Sequence, residues 1–389
     1  MDLSNYIGRE QSYVKHVVLD TYLERFAHII GSWKDSITYI YGFSGPWNSQ
    51  TQDFSDSSFG IALAQLRKAR ADLKVSLKRD FKIRCFFVEE SPEAFTKLKG
   101  FTDSITDATI KVANSTFEAA IPDICTFVKT AQGKTFPFIL IDPKGWKGFG
   151  MAAIKPLLDL RPSEVVINFM TGHIKRFVVS PEKNSREQFE ELFGDPSFRD
   201  KVQGLTGPER EFAAVNAYAD NLAKAGKFEY VCKAIVLNPN QDKTHYHLIY
   251  ATRNSKGVIE FKRAEKSAME EMEKARALAK QRGRTKKTGQ DELFAASADD
   301  GDKHFADLRE AFLTKAKASA LDRIKSAGTI AYDELWKRTM EFPLVWDSDL
   351  KDWLKAWKDA EIDYTLAEGK RVPQLDQNIV IRAKDPTLL

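Results

Sequence analysis

The stretch PFILIDPKGW, residues 137–146, begins with five apolar residues and continues into an aspartate, a proline, a lysine and a glycine. A short, unbroken apolar run is typical of a β-strand that is buried on both faces. We therefore expect Asp142 at the carboxyl end of a strand. Similar runs, with helical stretches between them, occur at ITYIYGF (37–43), IRCFFVEE (83–90), ATIKVAN (108–114) and EVVINFM (164–170). This alternation predicts a mostly parallel sheet covered by helices on both faces.

Two later stretches, YVCKAIVL (230–237) and YHLIYAT (246–252), are also typical of strands. Because they follow each other closely, we expect them to pair antiparallel at one edge of the sheet. Residues 1–272 are therefore predicted to form a Rossmann-like α/β domain with a mostly parallel sheet and an antiparallel edge.

The last third of the chain has a different pattern. Residues 273–303 combine a strongly basic run with a polar, acidic run, which predicts a flexible or partly helical linker. Residues 304–389 predict three helices, the second capped near Thr329, and then two strands around a Glu-Gly-Lys turn. Three helices followed by a hairpin indicate a small winged helix-turn-helix domain of α+β type.

Composition sets limits on the class of protein. The chain has 389 residues, 43% of them hydrophobic, and a formal net charge of +4, which is typical of a globular protein. No apolar run reaches the roughly 18 residues of a membrane span, and the start MDLSNYIGREQ lacks the pattern of a signal peptide. We therefore expect a cytoplasmic location and no membrane partner.

The separated Cys85, Cys125 and Cys232 predict core packing. The six histidines show no metal-ligand spacing, so no metal site is expected.

The first candidate ligand-binding segment is the loop YGFSGPW (41–47), which follows the first strand. Gly42 and Gly45 have no side chains, so the backbone on either side of Phe43 can approach a ligand closely. The alternative is an ordinary turn between a strand and a loop.

Polar residues also end the second and third strands. The carboxylate of Glu89 can accept hydrogen bonds from the ribose hydroxyls of an adenosine-type cofactor, or it is a solvated surface charge. Asn114 and Thr116 are candidates to contact the adenine of such a cofactor. The alternative is that Ser115 or Thr116 caps the following helix.

The fourth strand ends in the candidate catalytic residues Asp142, Pro143 and Trp146. The proline fixes the backbone, the Asp142 carboxylate can accept hydrogen bonds from an amino group, and Trp146 can stack on a planar substrate. Alternatively, Asp142 caps a helix and Trp146 belongs to the core. Asn168, a polar residue in the apolar fifth strand, needs hydrogen-bond partners, and a structural role and a role in the cofactor pocket both remain open.

Six blocks occur in a particular order: KHVVLDTYL (15–23), YIYGFSGPW (39–47), FFVEESPEAFTKL (86–98), FILIDPKGWKGFG (138–150), EVVINFM (164–170) and YHLIYATRNSKGVIEFKRA (246–264). Together they resemble the three-Cys-motif partner family. Members of that family are similar to methyltransferases and are often encoded beside a radical-enzyme-like protein that contains the three cysteines. The resemblance covers nearly all of residues 12–270, and the C-terminal part is similar to the winged helix that ends many members.

The resemblance implies a Rossmann-like fold that binds S-adenosylmethionine. It implies that Gly42, Gly45 and Glu89 contact the cofactor, and that Asp142 and Pro143 form the corner of the active site.

The chain departs from the family at several positions. Tyr41 replaces the acid of the loop, a residue that normally helps to hold the amino-acid part of the cofactor, and Trp47 replaces the last glycine of the loop. Lys144 stands where an aromatic residue is common. Amino-group methyltransferases usually place the stacking aromatic three residues after the aspartate, which is Gly145 here, and Trp146 is one residue further.

Two functions of different classes agree with these features. The first is an S-adenosylmethionine-dependent methyltransferase that N-methylates a nucleic-acid base or a related amino group. In this interpretation the winged helix and the basic linker contact DNA or RNA, although the linker is equally well explained as a solvated run of charge. The linker residues predicted to contact nucleic acid are Arg276, Lys280, Arg282, Arg284, Lys286 and Lys287.

The second function is a non-catalytic partner subunit that binds a cofactor or a nucleotide in a nucleic-acid-processing or phage-defence assembly. Tyr41 and Trp47 favour it, and the resemblance implies a three-Cys-motif, radical-SAM-like protein as its partner. A nicotinamide-dependent oxidoreductase is less favoured, because the loop lacks the full GxGxxG pattern.

Overall fold

A computed structural model of the chain describes residues 1–45, 49–51, 53–172, 178–179, 182–288, 303–366 and 368–384, with the backbone alone for residues 286–288. Contacts divide the chain into two compact units, Met1–Ser297 and Ala298–Leu389. The predicted sheet lies in the first unit.

The described helices of the first unit follow a 3₁₀ turn at Leu3–Tyr6 and are α1 (Glu10–Gly31), α2 (Ser58–Ser76), α3 (Pro92–Asp103), α4 (Phe117–Lys129), α5 (Met151–Leu158), α6 (Lys183–Phe193), α7 (Phe198–Val202), α8 (Gly207–Gly226) and α9 (Ser255–Thr288). Its strands are β1 (Ser36–Tyr41), β2 (Lys82–Glu89), β3 (Thr109–Asn114), β4 (Thr135–Ile141), β5 (Glu164–Phe169), β6 (Tyr230–Leu237) and β7 (Thr244–Thr252). Among the helices that the model describes, none has the length and apolar character to span a membrane.

The seven strands form one sheet in the order β3-β2-β1-β4-β5-β7-β6. Neighbouring strands from β3 to β5 pair parallel, whereas β7 runs antiparallel to both β5 and β6. The predicted mostly parallel sheet with an antiparallel edge is confirmed.

The centre of the sheet is buried on both faces, as the unbroken apolar runs predict. Tyr39 in β1 lies in register between Cys85 of β2 and Phe138 of β4, and all three side chains are fully buried. The cysteines are free thiols: Cys85 and Cys232 pack in the core and Cys125 is half-buried.

Helices α2, α3 and α4 begin at capped N-termini. The hydroxyls of Ser57, Ser91 and Thr116 each accept a backbone N–H from the first turn of the helix that follows. Such caps satisfy donors that a helix cannot satisfy internally. They hold three helix starts beside the carboxyl edge of the sheet, where ligand sites form in α/β proteins.

Residues 273–288 of the predicted linker belong to α9. Met272, Ala275 and Ala279 recur at helical spacing and are at most 4% exposed, so this part of α9 has a buried face. The remainder of the predicted linker, up to residue 302, lies outside the described residues.

The second unit contains α10 (Lys303–Ala327), α11 (Tyr332–Met340) and α12 (Asp347–Trp357), and the strands β8 (Thr329–Ala331), β9 (Ile362–Tyr364) and β10 (Val380–Ala383). The strands form a small antiparallel sheet in the order β8-β10-β9. The winged-helix assignment of this unit stays a prediction.

The predicted helix cap near Thr329 is wrong. Thr329 lies in β8 and pairs with Arg382 of β10, and α11 begins only at Tyr332. The three residues of β8 complete the sheet, and this pairing, which is distant in sequence, overrides the local capping preference of threonine. The third helix is held to the second by Trp336, whose Nε1 donates to Asp347 Oδ1 over 2.9 Å.

Candidate active site

A pocket of about 1200 Å³ opens at the carboxyl edge of β1, β2 and β4. Gly42, Glu89 and Asp142, which end these strands or follow them directly, all line it. Parallel strands present their carboxyl ends at one edge, so segments far apart in sequence meet here. Other residues singled out from the sequence that line the pocket include Phe43, Gly45, Pro143, Trp146 and Asn168.

The loop after β1 is tied to both neighbouring strands. The Gly42 N–H donates to the Leu140 carbonyl over 3.0 Å, and the Ser44 N–H donates to the Val88 carbonyl over 2.8 Å. A Cβ atom at Gly42 would lie 2.6 Å from the ring of Phe117. Glycine is therefore required at this position, because the loop backbone passes directly against an aromatic ring.

Tyr41 occupies the position at which the three-Cys-motif partner family, which the sequence resembles, has an acid. Its side chain is buried, and its hydroxyl donates to Asp142 Oδ2 over 3.1 Å. Burial and the nearby Asp142 carboxylate raise the pKa of Tyr41, so the phenol stays protonated and remains a donor. Trp47, the second departure in this loop, lies outside the described residues.

Glu89 is an almost fully buried carboxylate, 2% exposed, in the wall of the pocket. Its Oε1 accepts the Ser91 N–H over 2.7 Å, and the Gly45 N–H is a second backbone donor. Burial raises the pKa of Glu89, while the bond from Ser91 and the charge of Lys144 oppose the shift. The alternative interpretation of Glu89, as a solvated surface charge, is therefore excluded.

Asn114 and Thr116 are not among the residues that line the pocket. The Asn114 amide donates to the carbonyls of Glu89 and Glu90 over 2.9 and 3.1 Å. Thr116 caps α4, as the alternative interpretation expected. Both residues shape the strand ends, and Ser115 between them is the residue that faces the pocket.

Asp142 is at the centre of a buried polar network. Its Oδ2 accepts hydrogen bonds from Lys15 Nζ and Tyr41, and its Oδ1 accepts the Asn168 amide N–H over 2.6 Å. The side chains of Lys15 and Asp142 are 11% and 8% exposed. Helix α5 begins at Met151, so Asp142 does not cap it.

Lys15 and its neighbour His16 in α1 also line the pocket. The sequence analysis did not predict that α1 contributes to the site. The His16 ring is hydrogen-bonded to the Tyr6 and Ser58 hydroxyls at 2.9 and 3.0 Å. Burial, with the charge of Lys15, lowers the pKa of His16 well below its usual value, so the ring is neutral. The signal available was a Lys-His pair within an otherwise apolar helix face.

Trp146 lies at the junction of pocket and core. It lines the pocket and stacks on Phe189 with ring centroids 5.8 Å apart, and its Nε1 donates to Gln188 Oε1 over 3.2 Å. The core alternative therefore describes part of its environment, and the substrate-stacking role of Trp146 stays a prediction. Gly145, where amino-group methyltransferases carry an aromatic, has open space around it.

An ion pair between Arg9 and Asp56 forms another part of the wall. Burial raises the pKa of Asp56, but hydrogen bonds from the Gln50 N–H, Ser49, Thr51 and Arg9 outweigh burial and lower this pKa to about 2. The Asp56 carboxylate is therefore ionised and already fully occupied by protein donors.

Arg276, the first of the predicted nucleic-acid contacts, is 1% exposed. Its guanidinium donates to the carbonyls of Asn238 and Gln241 and to Asp242, which lie in the turn between β6 and β7. A side chain buried to this degree does not reach a phosphate, so we correct its assignment to a structural one. Lys280 shares the same Asp242 carboxylate.

The remaining predicted contacts are distributed along the end of α9. Arg282 is paired with Glu10 of α1, and Arg284 is exposed. The side chains of Lys286 and Lys287 lie outside the described residues.

A scan against models of known protein families finds no match to the chain, and neither does a search of curated proteins. Solved structures with partial similarity include a DUF519 protein from Legionella pneumophila, with 8% identity over 61% of this chain and 84% of that chain and a TM-score of 0.33. A putative methyltransferase from Thermobifida fusca has 11% identity over 61% of this chain and 80% of its own, with a TM-score of 0.31. Loganic acid methyltransferase, solved with SAH, has 11% identity over 65% and 81%, with a TM-score of 0.29.

These similarities are too weak to establish a function or a family. The fold assignment rests on the strand order, in which an antiparallel β7 is inserted between β5 and β6. This order gives the first unit a Rossmann-like α/β fold.

Proposed function

We propose that the first unit is a methyltransferase that uses S-adenosylmethionine. The observation that supports this most is the single pocket in which the Gly42–Gly45 loop, the buried Glu89 and the Asp142 corner meet. In α/β folds, ligands bind at this carboxyl edge of the sheet.

The residues present fit the cofactor. A pocket of about 1200 Å³ exceeds the roughly 300–1,000 Å³ of most ligand sites, which leaves room for a nucleoside cofactor and an acceptor together. Glu89 is suited to the ribose hydroxyls because a buried carboxylate is a strong acceptor. The Gly42–Gly45 loop lines the same pocket, and without a side chain at Gly42 the loop backbone passes directly against the Phe117 ring.

Bound S-adenosylmethionine would supply a methyl group on a positively charged sulfur; its transfer to the acceptor nitrogen would break the methyl carbon–sulfur bond, release S-adenosylhomocysteine and free one proton from the nitrogen. Asp142 accepts a hydrogen bond from the acceptor's amino group and orients its lone pair. Lys15 and Tyr41 hold the Asp142 carboxylate in place, and Trp146 stacks on a planar acceptor. Positioning and charge placement of this kind account for most of the rate in such transfers.

The acceptor in this proposal is an amino group of a nucleic-acid base. The positive charge near the end of α9, with Arg284 exposed, and the C-terminal unit support a nucleic-acid substrate. In a duplex, the base would have to leave the stack to reach Asp142.

A second candidate is a non-catalytic partner subunit that binds the cofactor or a nucleotide. It is supported by Tyr41, whose hydroxyl occupies the Asp142 carboxylate in place of a loop acid that would hold the cofactor. Under this candidate the protein acts within a nucleic-acid-processing or phage-defence assembly, beside a radical-SAM-like protein with the three-Cys motif.

The test combines calorimetry with S-adenosylmethionine and transfer of a tritiated methyl group to DNA, RNA and protein pools. Asp142→Ala is expected to reduce transfer about a hundredfold, because the acceptor loses its positioning contact. Asp159→Ala, which removes an exposed carboxylate paired with Lys155, is the matched control and should leave transfer unchanged. Cofactor binding without transfer to any pool would favour the partner subunit, and transfer that survives in Asp142→Ala would exclude Asp142 from the mechanism.

A further inference from the structure

Asn168 has a buried polar atom without a partner. It lies near the end of β5, lines the active-site pocket and is 5% exposed. Within the part of the chain that the structure describes, its Oδ1 accepts no hydrogen bond. A buried amide oxygen without a donor destabilises a folded protein, so such an atom in a pocket wall is an acceptor available to a bound ligand.

The orientation of this amide is determined by its neighbour. The Asn168 Nδ2 group donates to Asp142 Oδ1 over 2.6 Å. The reversed amide would set its oxygen against the carboxylate oxygen, and two acceptors at that distance repel each other. The free atom of Asn168 is therefore the carbonyl oxygen, which can only accept a hydrogen bond.

The adjacent carboxylate has little capacity left. A carboxylate offers about four lone-pair directions, and Lys15, Tyr41 and Asn168 already donate to three of those of Asp142. The larger unused acceptor at this corner of the pocket is therefore Asn168 Oδ1, which has two lone pairs.

We propose that Asn168 is a specificity-determining residue whose Oδ1 selects a ligand with N–H donors at the Asp142 corner. The ligand group is an amine, and oxyanion or carbonyl groups are rejected there because they would face two oxygens. This inference rests on the proposed methyltransferase function. The amine belongs either to the methyl acceptor or to the amino-acid part of the cofactor, and the two sources are separable by experiment.

The experiment measures by calorimetry the affinities of three adenosyl probes for the full chain. S-adenosylhomocysteine carries the amino-acid part, methylthioadenosine lacks it, and sinefungin carries an additional amine on the carbon that replaces the methylated sulfur. The variants are Asn168→Leu, which is close in size and has no acceptor, and Asn168→Ser, which retains a hydroxyl. Asn221→Leu is the control, since it removes a buried asparagine that bonds the Phe193 carbonyl away from the pocket.

If the amine belongs to the methyl acceptor, Asn168→Leu lowers the affinity for sinefungin relative to S-adenosylhomocysteine about tenfold. If it belongs to the cofactor, the variant lowers the affinity for S-adenosylhomocysteine about tenfold and leaves methylthioadenosine unchanged. Either result supports the role of Asn168, and Asn168→Ser should lie between wild type and Asn168→Leu.

Equal affinities of wild type and Asn168→Leu for all three probes would overturn the inference and leave the methyltransferase proposal intact. A wild-type chain that binds none of the probes would instead overturn the proposed function. Because each comparison is a ratio of affinities within one variant, a change in the folded fraction affects both probes equally and cannot produce the expected result.

Discussion

Gly42 shows how one residue determines the shape of the pocket. A Cβ at this position would lie 2.6 Å from the Phe117 ring, so Gly42→Ala must displace the ring or the loop. We expect a loss of about 1–3 kcal/mol of unfolding free energy and weaker binding of S-adenosylhomocysteine. Urea denaturation and calorimetry measure the two effects.

Gly145→Ala is the matched control, because a Cβ at Gly145 meets open space in the same pocket. Its stability should change by no more than about 0.5 kcal/mol. Equal effects of the two substitutions would show that the contact with Phe117 does not constrain the loop.

Glu164 predicts a dependence of stability on pH. Its carboxyl group is buried, and Tyr22 and Thr252 donate to it. Burial raises the pKa of Glu164 above its unfolded value, although the hydrogen bonds from Tyr22, Tyr250 and Thr252 oppose the shift. The folded chain thus holds this proton more tightly than the unfolded chain. The stabilisation is complete below the unfolded pKa of about 4.3 and is lost as the pH rises through the folded pKa.

Glu164→Gln has no proton to lose. Relative to this variant, wild type should lose stability as the pH increases from about 4 through the raised pKa of Glu164 in the folded chain, and urea unfolding at several pH values measures the difference. A difference between the two proteins that is the same at every pH would contradict the raised pKa.

Among single residues, those at the ends of predicted strands could be assigned to the pocket from the sequence. Gly42, Glu89 and Asp142 could be found because each follows an apolar run, and parallel strands end at one edge. Lys15 could not be assigned to Asp142, because their pairing connects positions 127 residues apart and depends on how α1 packs on the sheet.

At the scale of elements, α9 is fixed to the β6–β7 turn by Arg276. Removing this buried guanidinium in Arg276→Ala takes a donor from the carbonyls of Asn238 and Gln241, although the Gln241 carbonyl keeps the Lys243 N–H. We expect the variant to lose about 1–3 kcal/mol of unfolding free energy, measured by urea denaturation. Lys280→Ala removes a more exposed partner of the same Asp242 and should cost less than about 1 kcal/mol. A small effect of Arg276→Ala would show that the turn finds other donors.

The end of α9 illustrates why composition can mislead. The basic run after residue 273 predicted a linker, and composition does not distinguish a solvated run from a helix whose arginine points inward. The periodic Met272, Ala275 and Ala279 indicated a buried helical face. In the second unit, the three-residue β8 was missed because its extended conformation depends on pairing with β10.

At the scale of the whole molecule, the described residues that line the candidate active site all lie in the first unit. We expect the fragment of residues 1–288 to bind S-adenosylhomocysteine with the affinity of the full chain, within about twofold, since no contact with the ligand is lost. Calorimetry on the two proteins makes the comparison. A much weaker fragment that remains folded would show that the second unit contributes to the site.

The residues that line the pocket come from widely separated parts of the sequence. The first of them along the chain is Arg9, and the last is Tyr246 in β7. During synthesis on the ribosome, the nascent chain therefore has no complete site until the strand β7 has emerged and entered the sheet. Under the proposed function, ligand capture is thus confined to chains that have finished folding this unit, and a bound adenosyl ligand would stabilise the finished unit without aiding its earlier intermediates.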